Sequence, residues 1–403
     1  EAGRVELDAP VQRYLPWFRV VDPHASVQMT VRHLLNQTSG LPTSAGWIPL
    51  ADFDESPFAA ERQARALSTL KLTRPVGSAH EYSNMNYNLL GLIIEAASAK
   101  SYEAYIENHI FIPLEMCHSY TKKAAAKQNG LAMGHRFWFS RPIPTADLPL
   151  PRGSQASGQL ISCAEDMAHY LIFHLNGGRY GNVQIISPAG IAELHRPAAP
   201  VSFMGASLGH YGMGWYCEEH NQTKILWHSG IVPDFASYMA LFPEQKKGLV
   251  LLINADHFMM NPVITEIGSG LASLLAEKQP SPLKFGFLFM SMPALLLIPL
   301  LQVVGVIATL RQLRRWRQDP NSRPSRERLW GQHILLPLIP NLAFVAIPLW
   351  MLASRMLGFM LLFLQDFTLI ALICGGFAGM WAFLRTGLIL RFMRKSQTPI
   401  SIR

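Results

Sequence analysis

Tyr82-Ser83-Asn84 sets a phenol and a carboxamide two residues apart. On a loop, both side chains can point into one cleft, where a phenolate passes a proton and the amide holds a carbonyl. The same tripeptide also reads as a helix start, with Ser83 or Asn84 accepting a backbone N–H as the N-cap. A second constellation is His228-Ser229-Gly230, at the expected end of a strand. A glycine there lets a ligand backbone lie along the strand edge, and a histidine two positions earlier can meet a carboxylate. Nucleophile candidates of the form Ser-x-x-Lys occur at Ser68–Lys71 and Ser119–Lys122. The first falls on a connecting segment before Pro75 and the second follows the tyrosine motif, so neither is expected to open a buried helix.

Metal chemistry is not expected from the spacing. Cys117, Cys163, Cys217 and Cys374 form no C-x-x-C pair, and none stands with a histidine at ligand spacing. No cofactor is implied.

The elements that must position these residues suggest an α+β order. Leu90, Ile93, Ile94 and Ala97 repeat at helical spacing just after the tyrosine motif, as do Met167, Leu171 and Leu175 further on. Residues 235–242 and 248–254 flank a turn at Pro243–Lys247 and read as paired antiparallel strands, with 225–228 as a third. Residues 264–277 then read as an amphipathic helix ending the first domain. Helices, then antiparallel strands, then a helix differ from the alternation that builds a parallel sheet.

The charge is split along the chain. Residues 1–283 carry 21 Lys/Arg against 24 Asp/Glu, whereas residues 284–403 carry 14 against 3. The basic isoelectric point of about 9.4 therefore comes from the tail, and the head lacks the basic excess that nucleic-acid binding requires. Domains are expected at 1–283 and 284–403. The tail holds charge-free stretches at 285–310 and 329–354 and a third at about 367–384, extending toward residue 390. Each is close to the length that crosses a hydrocarbon core as a helix. The loop between the first two contains seven arginines, and the last stretch is bounded by Asp366 and Arg385, and after it come Arg385, Arg391, Arg394, Lys395 and Arg403. The positive-inside bias then puts that loop and the C-terminus in the cytoplasm and residues 1–283 outside. Met356–Gln365 reads as a short interfacial or partly inserted connection. Gly375 and Gly379 stand at G-x-x-x-G spacing, suited to packing a helix partner.

Taken together, LDAPVQRYLP at 7–16, TVRHLLNQTSGLP at 30–42, EYSNMNYNLLGLIIE at 81–95, YIENHIFIPLEM at 105–116, SGQLISCAEDM at 157–167 and YGMGW through LLINA at 211–255 resemble the serine β-lactamase and penicillin-binding protein family, in its class C and esterase-like branch. The resemblance implies a β-lactamase/DD-peptidase-like antiparallel sheet flanked by helices, with an all-helical subdomain. It implies acyl transfer through a serine acyl-enzyme on an amide, ester or lactam. Tyr82 and Asn84 match the middle motif. His228 and Gly230 match the third, with Ser229 beside the substrate and Ile231 offering an oxyanion-hole N–H. The family's Ser-x-x-Lys helix, general base and first strands are expected before residue 1, so residues 1–403 alone are expected to be inactive.

Asp234, Ala99 and Glu115 stand where glycine is frequent in such proteins, and Gln37 where histidine is frequent. Asp234 near the cleft is expected to discourage anionic substrates. The implied partner is a small molecule or peptide, cell-wall derived for a peptidase. The alternative is a non-catalytic binding or sensing head on a membrane anchor.

Overall fold

Along residues 199–253, Trp227, Tyr238 and Phe242 turn to one face while Leu226 and Leu241 turn to the other, and these residues build the main sheet. The computed structural model describes residues 1–203, 206–220, 223–275, 279–280, 282–284 and 286–395. Two compact units result. One comprises Glu1–Phe137 and Arg141–Phe287, the other Trp138–Ser140 and Leu288–Arg403.

In the first unit, a small sheet contains β1 (His135–Trp138), β2 (Arg141–Pro144) and, later in the chain, a short strand at Ala255–Asp256 that runs parallel to β1. The main sheet contains β3 (Ala199–Phe203), β4 (Ala206–Tyr211), β5 (Tyr216–His220), β6 (Thr223–Val232), β7 (Phe235–Phe242) and β8 (Lys247–Ile253). Its order is β8-β7-β6-β5-β4-β3, antiparallel throughout. The expected strand pair at 235–242 and 248–254 is present. The expected third strand is longer than 225–228, because β7 continues to pair with it through Val232↔Phe235.

Strand alternation gives the sheet two covered faces. Trp227, Ala236, Tyr238, Ala240 and Phe242 pack with Ile264 and Ala272 of a helix at Asn261–Leu275. Leu226 and Leu241 point the other way and meet Leu171 of a helix at Ala164–Leu175.

The N-terminal part is helical. Helix α1 (Asn84–Ser98) is its axis, with Met85, Leu89, Leu90, Leu92 and Ile93 buried among Val11, Phe18, Met29, Leu34 and Leu41. The sites flagged in the sequence as unusual share one backbone feature. Gln37, Ala99, Glu115 and Asp234 all have φ between 54° and 74°, the left-handed region that glycine occupies at least cost.

The second unit contains three helices long and apolar enough to cross a membrane: Met292–Gln318, Arg326–Ala353 and Gln365–Met393. They overrun the charge-free stretches, because a helix needs no apolar side chain at its ends. The first continues through Arg311, Arg314, Arg315 and Arg317, and the third carries Arg385 within it rather than ending there. Met356–Gln365 contains a short helix, Leu357–Phe363, with Phe359, Met360 and Phe363 buried. The G-x-x-x-G face packs on the second span: a Cβ on Gly375 would lie 2.7 Å from Pro348 Cγ and 2.8 Å from Phe344 O, and one on Gly379 would lie 3.4 Å from Val345 Cγ2. The carboxylate of the buried Asp366 accepts the N–H of Phe139 at 3.0 Å, which ties the β1–β2 turn into this unit.

Candidate active site

His228 owes its direction to strand alternation. It shares the face of Leu226, as does Gly230, whereas Ser229 and Ile231 turn with Trp227 toward the 261–275 helix. Strand β5 pairs with β6 only as far as Tyr216↔Trp227. Beyond that point, among the described residues, no strand covers the side of His228–Val232 away from β7. The two-residue loop Pro233-Asp234 closes the β6–β7 hairpin on the pair Val232–Phe235, so the alternation of ladder bonds turns the N–H groups of Ser229 and Ile231 toward that open edge. What Ser229 and Ile231 present there is backbone, not side chain. Gly230 also leaves room for Ser237 across the strand pair, since a Cβ there would lie 2.6 Å from Ser237 Oγ and force that hydroxyl to rotate.

Tyr82 forms the facing wall. Its ring centroid lies 6.0 Å from that of His228 and 6.3 Å from that of Tyr211. The motif is held by buried polar contacts. Gln37 Oε1 accepts the Ser83 N–H at 2.9 Å and also a bond from Asn86 Nδ2, and Ser39 Oγ donates to Asn86 Oδ1 at 2.6 Å. Ser83 occupies the N-cap position of α1, yet its hydroxyl donates to Pro42 O at 3.0 Å and makes no cap bond. The capping reading is thus not realised through the Ser83 side chain, and Asn84 is the first residue of the helix.

Several aromatic groups gather here that the motif search passed over. Tyr211 is buried with its hydroxyl 3.4 Å from His228 Nε2, and the Tyr216 ring is 5.5 Å from that of His228. The His80 ring is 5.2 Å from Tyr211, and its Nε2 is buried with no hydrogen-bond partner among the described residues. Only His80 had a local signal, two residues before Tyr82. Tyr211 arrives from a strand 129 residues later in the chain.

Burial sets the protonation states. It raises Tyr82 well above the usual phenol range, with Tyr216 and Tyr87 adding to the effect. Burial lowers His228, against a bond from its Nδ1 side to Ser229 O at 2.6 Å, and brings His80 down to about 4. At neutral pH the site therefore presents a phenol and uncharged imidazoles. The phenolate expected from the sequence needs a cation beside it, and burial alone acts against that form.

Asp234 corrects a second expectation. Its Oδ1 accepts the Arg136 Nε–H at 2.9 Å and lies 2.8 Å from Arg136 Nη2 in an ion pair, both groups being nearly buried. A charge neutralised in this way does not repel anions from the cleft as a free carboxylate would.

Neither Ser-x-x-Lys string reaches this pair. Ser68 lies exposed in a 3-10 turn at Ala66–Thr69. Ser119 is buried, with its hydroxyl on Ser162 and Asp166, while Lys122 is exposed. Ser281–Lys284 has the same spacing, with Ser281 outside the described residues. Beside α1, an apolar concavity of about 340 Å³ is lined by Val5, Leu7, Val31, Leu35, Leu90 and Ile93, among others.

This fold matches known proteins. The family model described as Beta-lactamase matches residues 1–268. The chain belongs to the beta-lactamase family.

Among curated relatives, Protein flp of Staphylococcus aureus (strain MW2) is 29% identical over 264 residues, covering 64% of this chain and 49% of its own length. The chain thus spans about half the length of the curated relatives it matches first. A solved structure, the octameric penicillin-binding protein homologue from Pyrococcus abyssi, superposes with a TM-score of 0.59 at 27% identity, over 70% of this chain and 63% of that one. A class C beta-lactamase shares the fold, with a TM-score of 0.52 at 21% identity over 65% of this chain and 73% of its own. The α+β reading and the family resemblance are both upheld. The beta-lactamase-family head and the three long apolar helices follow one another in one chain.

Proposed function

We propose that this chain is part of a membrane-anchored serine hydrolase that forms and hydrolyses an acyl-enzyme, its head lying outside the cytoplasm. The observation that supports it is the placement of the Tyr82 phenol and the His228 imidazole on facing walls beside an open strand edge. A substrate backbone extends β6 along His228–Val232, as a further strand would. The Ile231 N–H points to the position where a tetrahedral oxyanion develops. Tyr82 relays the proton between nucleophile and leaving group, and Asn84 holds the acyl carbonyl. The nucleophile comes from a Ser-x-x-Lys segment outside residues 1–403, since Ser68 lies exposed in a 3-10 turn and the Ser119 hydroxyl is held by Ser162 and Asp166. An uncharged His228 favours amides, esters or lactams without a free carboxylate over anionic peptides.

The second reading, a non-catalytic head that binds such ligands, is favoured by the same placement of Ser68 and Ser119. Covalent labelling separates the two. Cells expressing the protein from its natural gene are treated with a fluorophosphonate or a tagged penicillin, and the labelled peptide is sequenced. A single labelled serine outside residues 1–403 is expected. Labelling at Ser68, Ser119 or Ser281 overturns the nucleophile assignment, and no labelling favours the binding head. For sidedness, single cysteines at Ser322 and Ser354 in a chain without native cysteines are probed with an impermeant maleimide in sealed cells. Ser354 is expected to react and Ser322 to be spared until lysis; the reverse pattern inverts the topology.

A further inference from the structure

Sequence spacing gave no expectation of a metal site, yet the fold brings three donors together that are 45 and 48 residues apart. Tyr120 and Ile161 form an isolated antiparallel bridge, exchanging backbone bonds of 2.8 and 3.0 Å. That bridge sets His118 beside Cys163, and the helix that starts after Cys163 brings in Asp166. One ligand atom from each of His118, Cys163 and Asp166 lies within 4.8 Å of the other two.

We propose that His118, Cys163 and Asp166 bind one zinc-class divalent cation, with water in the fourth position. The donor set is a thiolate, an imidazole and a carboxylate, which suits zinc and not the hard cations that take oxygen ligands only. Asp166 is already oriented as such a ligand is in known sites. Its Oδ2 accepts the His118 backbone N–H at 2.8 Å and the Ser119 hydroxyl at 2.7 Å, while its Oδ1 faces His118 Nδ1 at 4.0 Å. Ser119 Oγ is in turn 2.7 Å from Ser162 Oγ. The His118 side chain is 62% exposed, so a ring rotation closes the set and a cation enters from solvent.

Capping gives Cys163 a second role, because its Sγ accepts the Asp166 N–H at 3.5 Å at the N-terminus of the 164–175 helix. Serine fills an N-cap better than cysteine does, so capping alone gives no reason for a thiol here. It also supplies a clean variant, since Cys163→Ser keeps the cap and removes the soft ligand.

The test uses the full chain, purified in detergent, stripped with a chelator and titrated with Co²⁺ and then Zn²⁺. One Co²⁺ per chain is expected, with a thiolate-to-cobalt charge-transfer band that Zn²⁺ displaces. Cys163→Ser should abolish that band with the melting temperature unchanged, and His118→Ala should weaken Co²⁺ binding by on the order of tenfold or more. Cys117→Ser should leave the band intact. Absence of the band in the unmodified chain, its persistence in Cys163→Ser, or its loss in Cys117→Ser would each overturn the assignment.

Discussion

The two units solve the same problem, buried polar groups among apolar ones, with different partners. In the head, several buried side chains satisfy one another: Gln37 with Asn86, Ser39 with Asn86, and His174 with His195 at 3.0 Å. In the membrane unit, the few buried polar side chains lean on backbone. The buried Thr368 donates to Met360 O and Leu364 O, and the half-buried Gln302 donates to Cys374 O. Leu, Val and Phe there face outward along much of each helix, and the close contacts are made by Gly375 and Gly379. The head is specified by hydrogen-bond geometry and the membrane unit by shape, because lipid competes for apolar contact and water does not.

The largest expected effect is on chemistry. In the complete protein, Tyr82→Phe should lower kcat on the order of 10²-fold with the melting temperature unchanged, as for loss of a proton relay. Full activity in that variant would reduce the tyrosine wall to packing. Next, Gln37→Ala should destabilise the head by about 1–3 kcal/mol, because the Ser83 N–H and the Asn86 amide lose their buried acceptor. A denaturant titration that returns wild-type stability would remove hydrogen-bond geometry as the distinguishing feature of the head.

A pH series sharpens the same contrast. Burial lowers His174 to about 3, with His195 adding to it, and lowers His195 to about 4, with Lys224 adding to it. Both are neutral when folded and take up protons when unfolded below about pH 6.5, the ordinary histidine value. Their contribution is therefore complete above that pH and is lost as the pH falls toward the folded values, by up to about 1.4 kcal/mol per pH unit for each histidine. Thermal melts of His195→Asn should show a shallower decline between pH 6.5 and 4 than the unmodified head; parallel curves would exclude this pair as its source.

The smallest effect belongs to the membrane unit. Gly375→Ala forces a Cβ against Pro348 and Phe344 and should cost about 1 kcal/mol in detergent unfolding, while the head melts unchanged. Gly376→Ala, with open space around its Cβ position, is the control and should be neutral. Equal effects at the two glycines would argue against shape as the organising term.

Periodic patterns were readable in advance wherever one face of an element is buried over several turns. The 84–98 and 164–175 helices, the 235–242 and 247–253 strand pair and the three apolar spans belong to this class, and their apolar spacing or length is a local property. Tyr82 and His228 were also legible as types, one before a helix and one on a strand. Element ends were less so: strand β6 runs past His228 because its partner β7 keeps pairing, and partner length is a property of another segment. Arg385 does not end the last helix, because one charge breaks no backbone hydrogen bond.

The sequence by itself determined that one chain carries a charge-balanced α+β head and a basic, apolar tail, since composition and periodicity are additive along the chain. Tertiary structure alone decided which groups meet. It set Tyr211 and His80 against the Tyr82–His228 pair, neutralised Asp234 with Arg136, and drew His118 to Cys163 through the Tyr120–Ile161 bridge. Those encounters depend on strand register and on left-handed turns at residues such as Gln37 and Asp234, where a few degrees of backbone rotation redirect everything that follows.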